Sequence, residues 1–314
     1  MIKIEPIKAF SDNYIWLVTT NEGLLVVDPG DASPVEAYLK DKKRDLSNIL
    51  ITHHHFDHTG GVEKLNSQSL LNVYGPTGSI FTGINRELKE GDTINVIGID
   101  FSIIEVPGHT LDHIAYYSEN EGEPILFCGD TLFAGGCGRV FEGTYEQMHN
   151  SLNKLKILPE NTKVYCGHEY TLSNLRFALE VDAENIFLKD RYDECINLRN
   201  NDQATIPSLL EDELKTNPFL RCDNRIIQEN IKQKFNLNKI YLENGNDINE
   251  VEIGLNNAKK MCFKGKPIVL ILKTEMGNGV DFMMGTHKWH GNAPNDEQLE
   301  ICLLYTSPSP RDRG

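Results

Sequence analysis

Short apolar runs that stop at glycine, histidine or aspartate fill the first 168 residues: Leu24–Val27, Ile49–Ile51, Phe101–Val106, Ile125–Cys128 and Val164–Cys166. Several are continuous rather than alternating, the pattern of strands covered on both faces. Between them, Tyr145–Leu158 carries Met148, Leu152 and Leu155 at helical spacing. After Glu169 the period turns mostly helical, through Leu172–Val181 and Ile186–Leu198. Ser208-Leu209-Leu210-Glu211, following Pro207, has capping-box spacing and predicts a helix starting there. A last helical piece, Ile226–Phe235, ends near Asn236. The pattern therefore predicts a layered α/β domain over residues 1–168 and a small helical domain over 169–237. Beyond it the register changes: Ile248–Met261 reads as helix, Pro267–Lys273 as an apolar strand, and Gly277-Asn278-Gly279 as a turn. The stretch LLYTSPSPRDRG loses all periodicity and predicts a disordered or foreign tail over 303–314.

Composition narrows the class. With 314 residues, 39% hydrophobic and 25% charged, the chain is long enough for two domains and ordinary for a globular protein. The start MIKIEPIKAFSDNYIWLV lacks the basic region, apolar run and cleavage site of a signal peptide. No stretch approaches the roughly 20 apolar residues of a membrane span. The expected location is the cytoplasm, with no membrane partner. Seven cysteines (Cys128, Cys137, Cys166, Cys195, Cys222, Cys262 and Cys302) are odd in number and scattered, which argues against a disulfide framework or a zinc ribbon. A formal net charge of −15 gives no basic footprint for nucleic acid, so none is expected as a partner. An anionic small substrate remains compatible if a few basic residues line its pocket.

The chemistry concentrates in Thr52-His53-His54-His55-Phe56-Asp57-His58, directly after the strand NILI. On a tight loop the alternating His53 and His55 point one way, while Asp57 and His58 turn toward a neighbouring point. That geometry suits two metal ions sharing one loop. Imidazole and carboxylate donors suit zinc, with iron and manganese as alternatives. His109 in VPGHT, Asp130 in FCGDT and His168 in YCGHE each follow a glycine just past a predicted strand. Glycine lets the backbone turn sharply there, and strand ends of one sheet edge lie close together. The inventory reads His53, His55 and His109 for one metal, Asp57, His58 and His168 for the other, and Asp130 as the bridge. His54 is expected to face away, and His113 and His149 to be structural or exposed. The plainer alternative is a histidine-rich surface loop with unrelated Gly-His pairs, and seven donors placed at strand ends weigh against it. Two such cations ionise a shared water near neutral pH and polarise a carbonyl, the chemistry of acyl or phosphoryl transfer to water. Neither a GxSxG nucleophile motif nor a Gly-rich phosphate loop is present.

THHHFDH resembles the THxHxDH signature of the metallo-β-lactamase superfamily, which implies an α/β four-layer αββα sandwich and two divalent metal ions, without specifying the substrate. The blocks AFSDNYIWLV, VVDPGDASPV, FCGDTLFAGGCGRVFEGT, YCGHEYTLSNLRFALEVD and TIPSLLEDELKTNPFLR, in order over residues 1 to about 235, resemble glyoxalase II (hydroxyacylglutathione hydrolase). That resemblance implies hydrolysis of S-(2-hydroxyacyl)glutathione, typically S-lactoylglutathione, to glutathione and a 2-hydroxy acid by a metal-bridging hydroxide. Carried over residue by residue, the metal positions fall on the seven donors above, with Asp57 also catalytic, and the substrate-binding positions on Arg139, Phe141 and Tyr170. A guanidinium at 139 suits the carboxylates of glutathione, which it can grip in bidentate fashion. The nearest rival on the same fold is a persulfide dioxygenase using one iron. A nucleic-acid-processing relative is disfavoured by the acidity of the chain, and a catalytically impaired chimera is the remaining alternative.

One departure bears on the last alternative. The family closes its glutathione site with basic residues on a final helix after the NPFLR block. Here that block reaches Arg221 and the chain diverges near Asn236, which implies a truncated helical domain. Residues 240–302 are similar instead to a fragment of the N-terminal thiamine-diphosphate-binding region of transketolase, in GNDINEVEIGLNNAKK, GKPIVLILKTEMGNGVDFM and GTHKWHGNAPNDEQLE. The fragment lacks that cofactor's metal-binding motif, so neither thiamine diphosphate nor transketolase activity is expected. Two unrelated fragments joined mid-helix imply a chimera, since a genuine fusion would keep both domains whole.

Overall fold

The strand β2 (Asn13–Thr19) shows how the sequence builds the layers. Its residues Asn13–Val18 are all buried, but its two faces enter different cores. Ile15 and Leu17 join Val35 of α1 (Ala32–Lys42) and Leu65 of α3 (Val62–Gln68). Tyr14, Trp16 and Val18 join Phe101, Tyr116 and Phe127 from the opposing sheet. A strand buried on both sides needs no polar face, which is why its apolar run is continuous. The computed structural model describes residues 2–68, 70–119, 122–234, 238–242, 246–261 and 268–272. It divides into two compact units, Met1–Asn230 and Ile231–Gly314.

In the first unit one six-stranded sheet runs β1 (Lys3–Ala9), β2, β3 (Leu24–Val27), β4 (Asn48–Leu50), β5 (Asn72–Pro76) and β6 (Arg86–Leu88). Its first three strands are antiparallel and the rest parallel. The second sheet contains β7 (Thr93–Val96), β8 (Ile99–Glu105), β9 (Ile114–Ser118), β10 (Ile125–Gly129), β13 (Lys163–Cys166) and β14 (Ser208–Leu209), in the order β14-β13-β10-β9-β8-β7. Helix α4 (Tyr145–Lys156) buries Met148, Leu152 and Leu155 in the core of this second sheet. Its start is fixed by a complete capping box between Thr144 and Gln147. Helices, two sheets and helix make four layers.

The helices α5 (Thr171–Val181), α6 (Ile186–Asn200) and α7 (Leu210–Thr216) follow, with a small core of Leu175, Ala178, Leu188 and Cys195. Ile206, Leu210 and Leu220 are buried in the core of the sheets. The capping box expected at Ser208 does not form. Ser208 and Leu209 pair with Val164 and Lys163 as β14, and α7 starts at Leu210 with no side-chain cap. A ladder with a strand distant in sequence takes the backbone that the local motif would have used. Residues on both sides of position 168 lie in one compact unit.

Buried Glu213 then ties α7 to the hairpin of β11 (Leu132–Phe133) and β12 (Gly136–Cys137). Its carboxylate accepts from Gly135 N at 2.8 Å and from Asn217 Nδ2 at 3.1 Å. Asn217 Nδ2 also donates to Phe133 O and Gly136 O. This hairpin leads directly to Arg139.

Helix α8 (Arg225–Lys234) spans the junction of the two units. In the second unit, β15 (Asn238–Leu242) pairs in parallel with β16 (Ile268–Leu272), with α9 (Ile248–Met261) between them in sequence. The helix and the apolar strand lie where the pattern puts them, whereas β15 is a partner the pattern did not single out. The turn at 277–279, the tail at 303–314, Cys262 and Cys302 lie outside the described residues. No helix among the described residues is long and apolar enough to cross a membrane.

Candidate metal centre

β4 ends at Leu50, and the chain runs through Thr52–His55 into the single turn α2 (Phe56–Thr59). Asp28, just past β3, anchors this loop. Its carboxylate accepts from Thr52 N at 2.8 Å, Thr52 Oγ1 at 2.7 Å and His58 Nδ1 at 3.0 Å. Gly30 makes the approach possible, because a Cβ there would lie 1.8 Å from Asp57 O. Gly129 does the same beside Asp130: it has φ 46°, and a Cβ would fall 2.3 Å from Thr52 Oγ1.

His109 follows β8, Asp130 follows β10 and His168 follows β13, and all three reach the loop. His55 Nδ1 lies 3.1 Å from His53 Nε2 and 3.0 Å from His109 Nε2. Asp57 Oδ2 lies 3.6 Å from His58 Nε2 and 3.4 Å from His168 Nε2. Asp130 Oδ2 stands 3.3 Å from His109 Nε2 and 3.3 Å from His168 Nε2, between the two groups. Donors around one tetrahedral cation at about 2.0–2.1 Å would sit about 3.3 Å from one another. The observed spacings match that edge. Two further atoms point the same way. His58 Nε2 and Asp130 Oδ1 are buried without a hydrogen-bond partner, 3.4 Å apart. Buried polar atoms are normally satisfied, and a cation between them satisfies both. The side chains fit a pair of divalent ions.

The outward nitrogens fix how the rings point. His58 Nδ1 donates to Asp28, His109 Nδ1 donates to Arg139 O at 2.7 Å, and His168 Nδ1 donates to Asp12 Oδ1 at 2.8 Å. Each bond leaves Nε2 facing inward. Asn13 Nδ2 donates to Asp57 Oδ2 at 2.9 Å, and Tyr14 N donates to Gly167 O, which joins β2 to the His168 turn. Sequence reasoning missed Asp12, Asn13 and Asp28 as supports of the centre, although they stand in the words SDNY and VVDPG.

The electrostatics ask for positive charge. Burial and the neighbouring His58 hold His53 well below its ordinary pKa, and burial also lowers His55 and His109. Burial acts against protonated His58, but Asp130 and Asp28 override it and raise the ring well above its usual value. His168 is likewise opposed by burial, yet its bonds to Asp130 and Asp57 lift it to about 10. Asp57 and Asp130 stay below the carboxylate range despite burial, held there by His168 and His58.

His54 does face away, toward Asp112 and Glu142. His113 is a buried prop: it stacks on His53 with centroids 4.5 Å apart and accepts from Asp130 N at 3.1 Å. Burial lowers its pKa to about 3, which keeps that acceptor neutral. His149 is exposed on α4. Cys128, Cys137, Cys166, Cys195 and Cys222 are free thiols.

A cleft of about 620 Å³ opens over the cluster, and Arg139, Phe141 and Tyr170 line it together with His55, Asp57 and Asp130. The Tyr170 ring stacks on His168 at 4.7 Å, nearly parallel. The Arg139 guanidinium lies 4.9 Å over the Phe141 ring, which meets His109 edge-on. Phe56 and Phe133 also line the cleft, and no sequence signal had marked them.

Residues 10–168 match the metallo-β-lactamase superfamily, and residues 169–243 match the C-terminal region of hydroxyacylglutathione hydrolase. The chain is 52% identical over 237 residues to a hydroxyacylglutathione hydrolase of Pseudomonas aeruginosa (strain LESB58), covering 74% of this chain and 92% of that protein. It is 50% identical over 241 residues to the hydroxyacylglutathione hydrolase of Pseudoalteromonas translucida, covering 75% and 91%. Among solved structures, a metallo-β-lactamase from Staphylococcus aureus superposes with a TM-score of 0.53 at 20% identity, over 74% of this chain and 65% of that one. A B3 metallo-β-lactamase gives 0.52 at 24% identity, over 70% and 99%. These two likenesses concern the fold alone. With its four layers, its donor cluster and about half of the aligned residues identical to the two hydroxyacylglutathione hydrolases, the chain belongs to the hydroxyacylglutathione hydrolase family of the metallo-β-lactamase superfamily.

Proposed function

We propose that this chain hydrolyses S-(2-hydroxyacyl)glutathione, with S-lactoylglutathione the typical substrate, to glutathione and a 2-hydroxy acid. The observation that carries the reading is that seven metal-type donors and the Arg139, Phe141 and Tyr170 side chains line or underlie one cleft. In this reading His53, His55 and His109 hold one divalent cation, Asp57, His58 and His168 hold a second, and Asp130 serves both. Zinc suits these donors best, and iron or manganese also accept them. When bound, the pair supplies a water ionised near neutral pH and Lewis acidity for the thioester carbonyl.

The chain's own residues do the rest. Arg139 grips a carboxylate of the glutathione portion, with Phe141 beneath the guanidinium limiting its freedom. Tyr170, stacked on His168, lines the same cleft. Asp57 remains ionised and orients the attacking water. The free thiols accord with a reducing compartment, and we place the enzyme in the cytoplasm.

Arg139→Ala is expected to raise KM for glutathione thioesters by about ten- to a hundredfold, the cost of a charge-assisted bond to a part of the substrate remote from the scissile bond. Steady-state kinetics checks this, and an unchanged KM with a fallen kcat would remove Arg139 from the substrate site. We also propose that residues from 240 onward add no second functional site. A chain ending at Asn238 is expected to keep its metal content, melting temperature and hydrolysis rate, the last within about twofold of full length. Unfolding or loss of activity on that truncation would make the segment integral.

A further inference from the structure

We infer that His54 is a positioning residue, which locks the segment carrying Arg139 and Phe141 onto the metal loop through two carboxylates. The inference rests on the hydrolase reading only for what the locked segment grips. His54 stands between two cluster residues with its ring turned outside the cluster and its side chain only 10% exposed. Nδ1 lies 2.9 Å from Asp112 Oδ1, and Nε2 lies 3.2 Å from Glu142 Oε1. Each ring nitrogen thus faces a carboxylate oxygen within hydrogen-bond distance.

Both carboxylates hold further partners in neighbouring loops. Asp112 accepts from Ser79 Oγ at 2.6 Å and Thr110 Oγ1 at 2.7 Å, and Glu142 Oε2 accepts from Leu111 N at 2.9 Å. One ring therefore joins the 52–58 loop, the 109–112 turn and the 139–143 segment. Besides the bonds of Arg139 O to His109 Nδ1 at 2.7 Å and of Glu142 Oε2 to Leu111 N, the far end of that segment is held by long backbone bonds: Phe141 N to His109 O at 3.3 Å, Glu142 N to His109 O at 3.4 Å and Gly143 N to Gly108 O at 3.2 Å. These lie at or beyond the weak end of the hydrogen-bond range. The contact of His54 with Glu142, anchored through the same ring to Asp112, then bears on how firmly this end of the segment is seated. His54, Asp112 and Glu142 could also be taken for a third cation site, since their donors lie within 4.8 Å. Asp112 already accepts from two hydroxyls and meets the ring, and both His54 nitrogens face carboxylates, so the tie explains the arrangement without an ion.

The test uses the metal-loaded full chain, His54→Ala, Glu142→Gln and the double variant. Hydrogen exchange at the amides of Leu111 and residues 141–143 is expected to accelerate about tenfold in either single variant, and the double variant to exchange no faster than the singles. KM for S-lactoylglutathione should rise about tenfold, with kcat and metal content changing less. Unchanged exchange, or effects that multiply in the double variant, would overturn the inference. Because exchange needs no substrate, faster exchange in a chain that fails to turn over lactoylglutathione sinks the hydrolase reading and supports the tie.

Discussion

Asp130→Ala is expected to cut kcat/KM for S-lactoylglutathione by about a thousandfold or more and to leave the protein short of metal. No other side chain in the cluster brings one oxygen within 3.3 Å of a nitrogen from each donor group. Its loss also takes away one of the charges that raise His58 and His168, Asp28 and Asp57 being the others, so the second group loses an electrostatic partner as well as a donor. His54→Ala should cost at least about tenfold less than Asp130→Ala, because its ring contacts carboxylates outside the cluster. Metal analysis and thioester kinetics on the two variants make the comparison. Equal losses would mean that the alternation along the loop assigns the wrong histidines.

The second large effect concerns pH. In the metal-free centre His168 has its pKa raised to about 10 from 6.5, and His58 is raised as well, so both rings hold protons at neutral pH. A cation bound there must expel those protons. Its affinity should therefore rise with pH, about tenfold per unit for each proton released, until His168 deprotonates near 10. His53, His55 and His109 have lowered values and are already neutral, so the other cation displaces nothing. Competition with a coloured chelator at several pH values between about 6 and 8 should show one affinity nearly flat and the other climbing by about tenfold or more per unit. Two constants that move in parallel would contradict the division of the seven donors into unlike groups.

How much of this could be read beforehand follows from which signals are local. The donors were legible because they crowd into six positions of one loop or follow a glycine at a strand end, and each of those signals needs no knowledge of the partner. Strands such as Leu24–Val27 and Ile125–Cys128 were legible because burial on both faces removes every polar residue from the run. Asp28 was not. Its value comes from where the ends of β3 and β4 meet, and a single aspartate before Pro-Gly has many structural uses. Asp12 and Asn13 are hidden for the same reason, since they support His168 and Asp57 from more than forty residues away. At Ser208 the local signal was present and lost: the capping-box pattern competes with a ladder to Val164 that only the folded chain reveals. Asn238–Leu242 carries too little alternation to announce a strand, and its partner β16 lies beyond an intervening helix.

The central claim joins two statements, that the cluster holds a pair of cations and that the pair hydrolyses a glutathione thioester. The most direct measurement is a metal titration of chelator-treated full-length protein, with S-lactoylglutathione hydrolysis followed at each addition. The account predicts no turnover at the start, and a rate that climbs until about two equivalents of zinc are bound. A rate that saturates at one equivalent, or a protein that needs a single iron and consumes oxygen with glutathione persulfide while leaving the thioester intact, would contradict it.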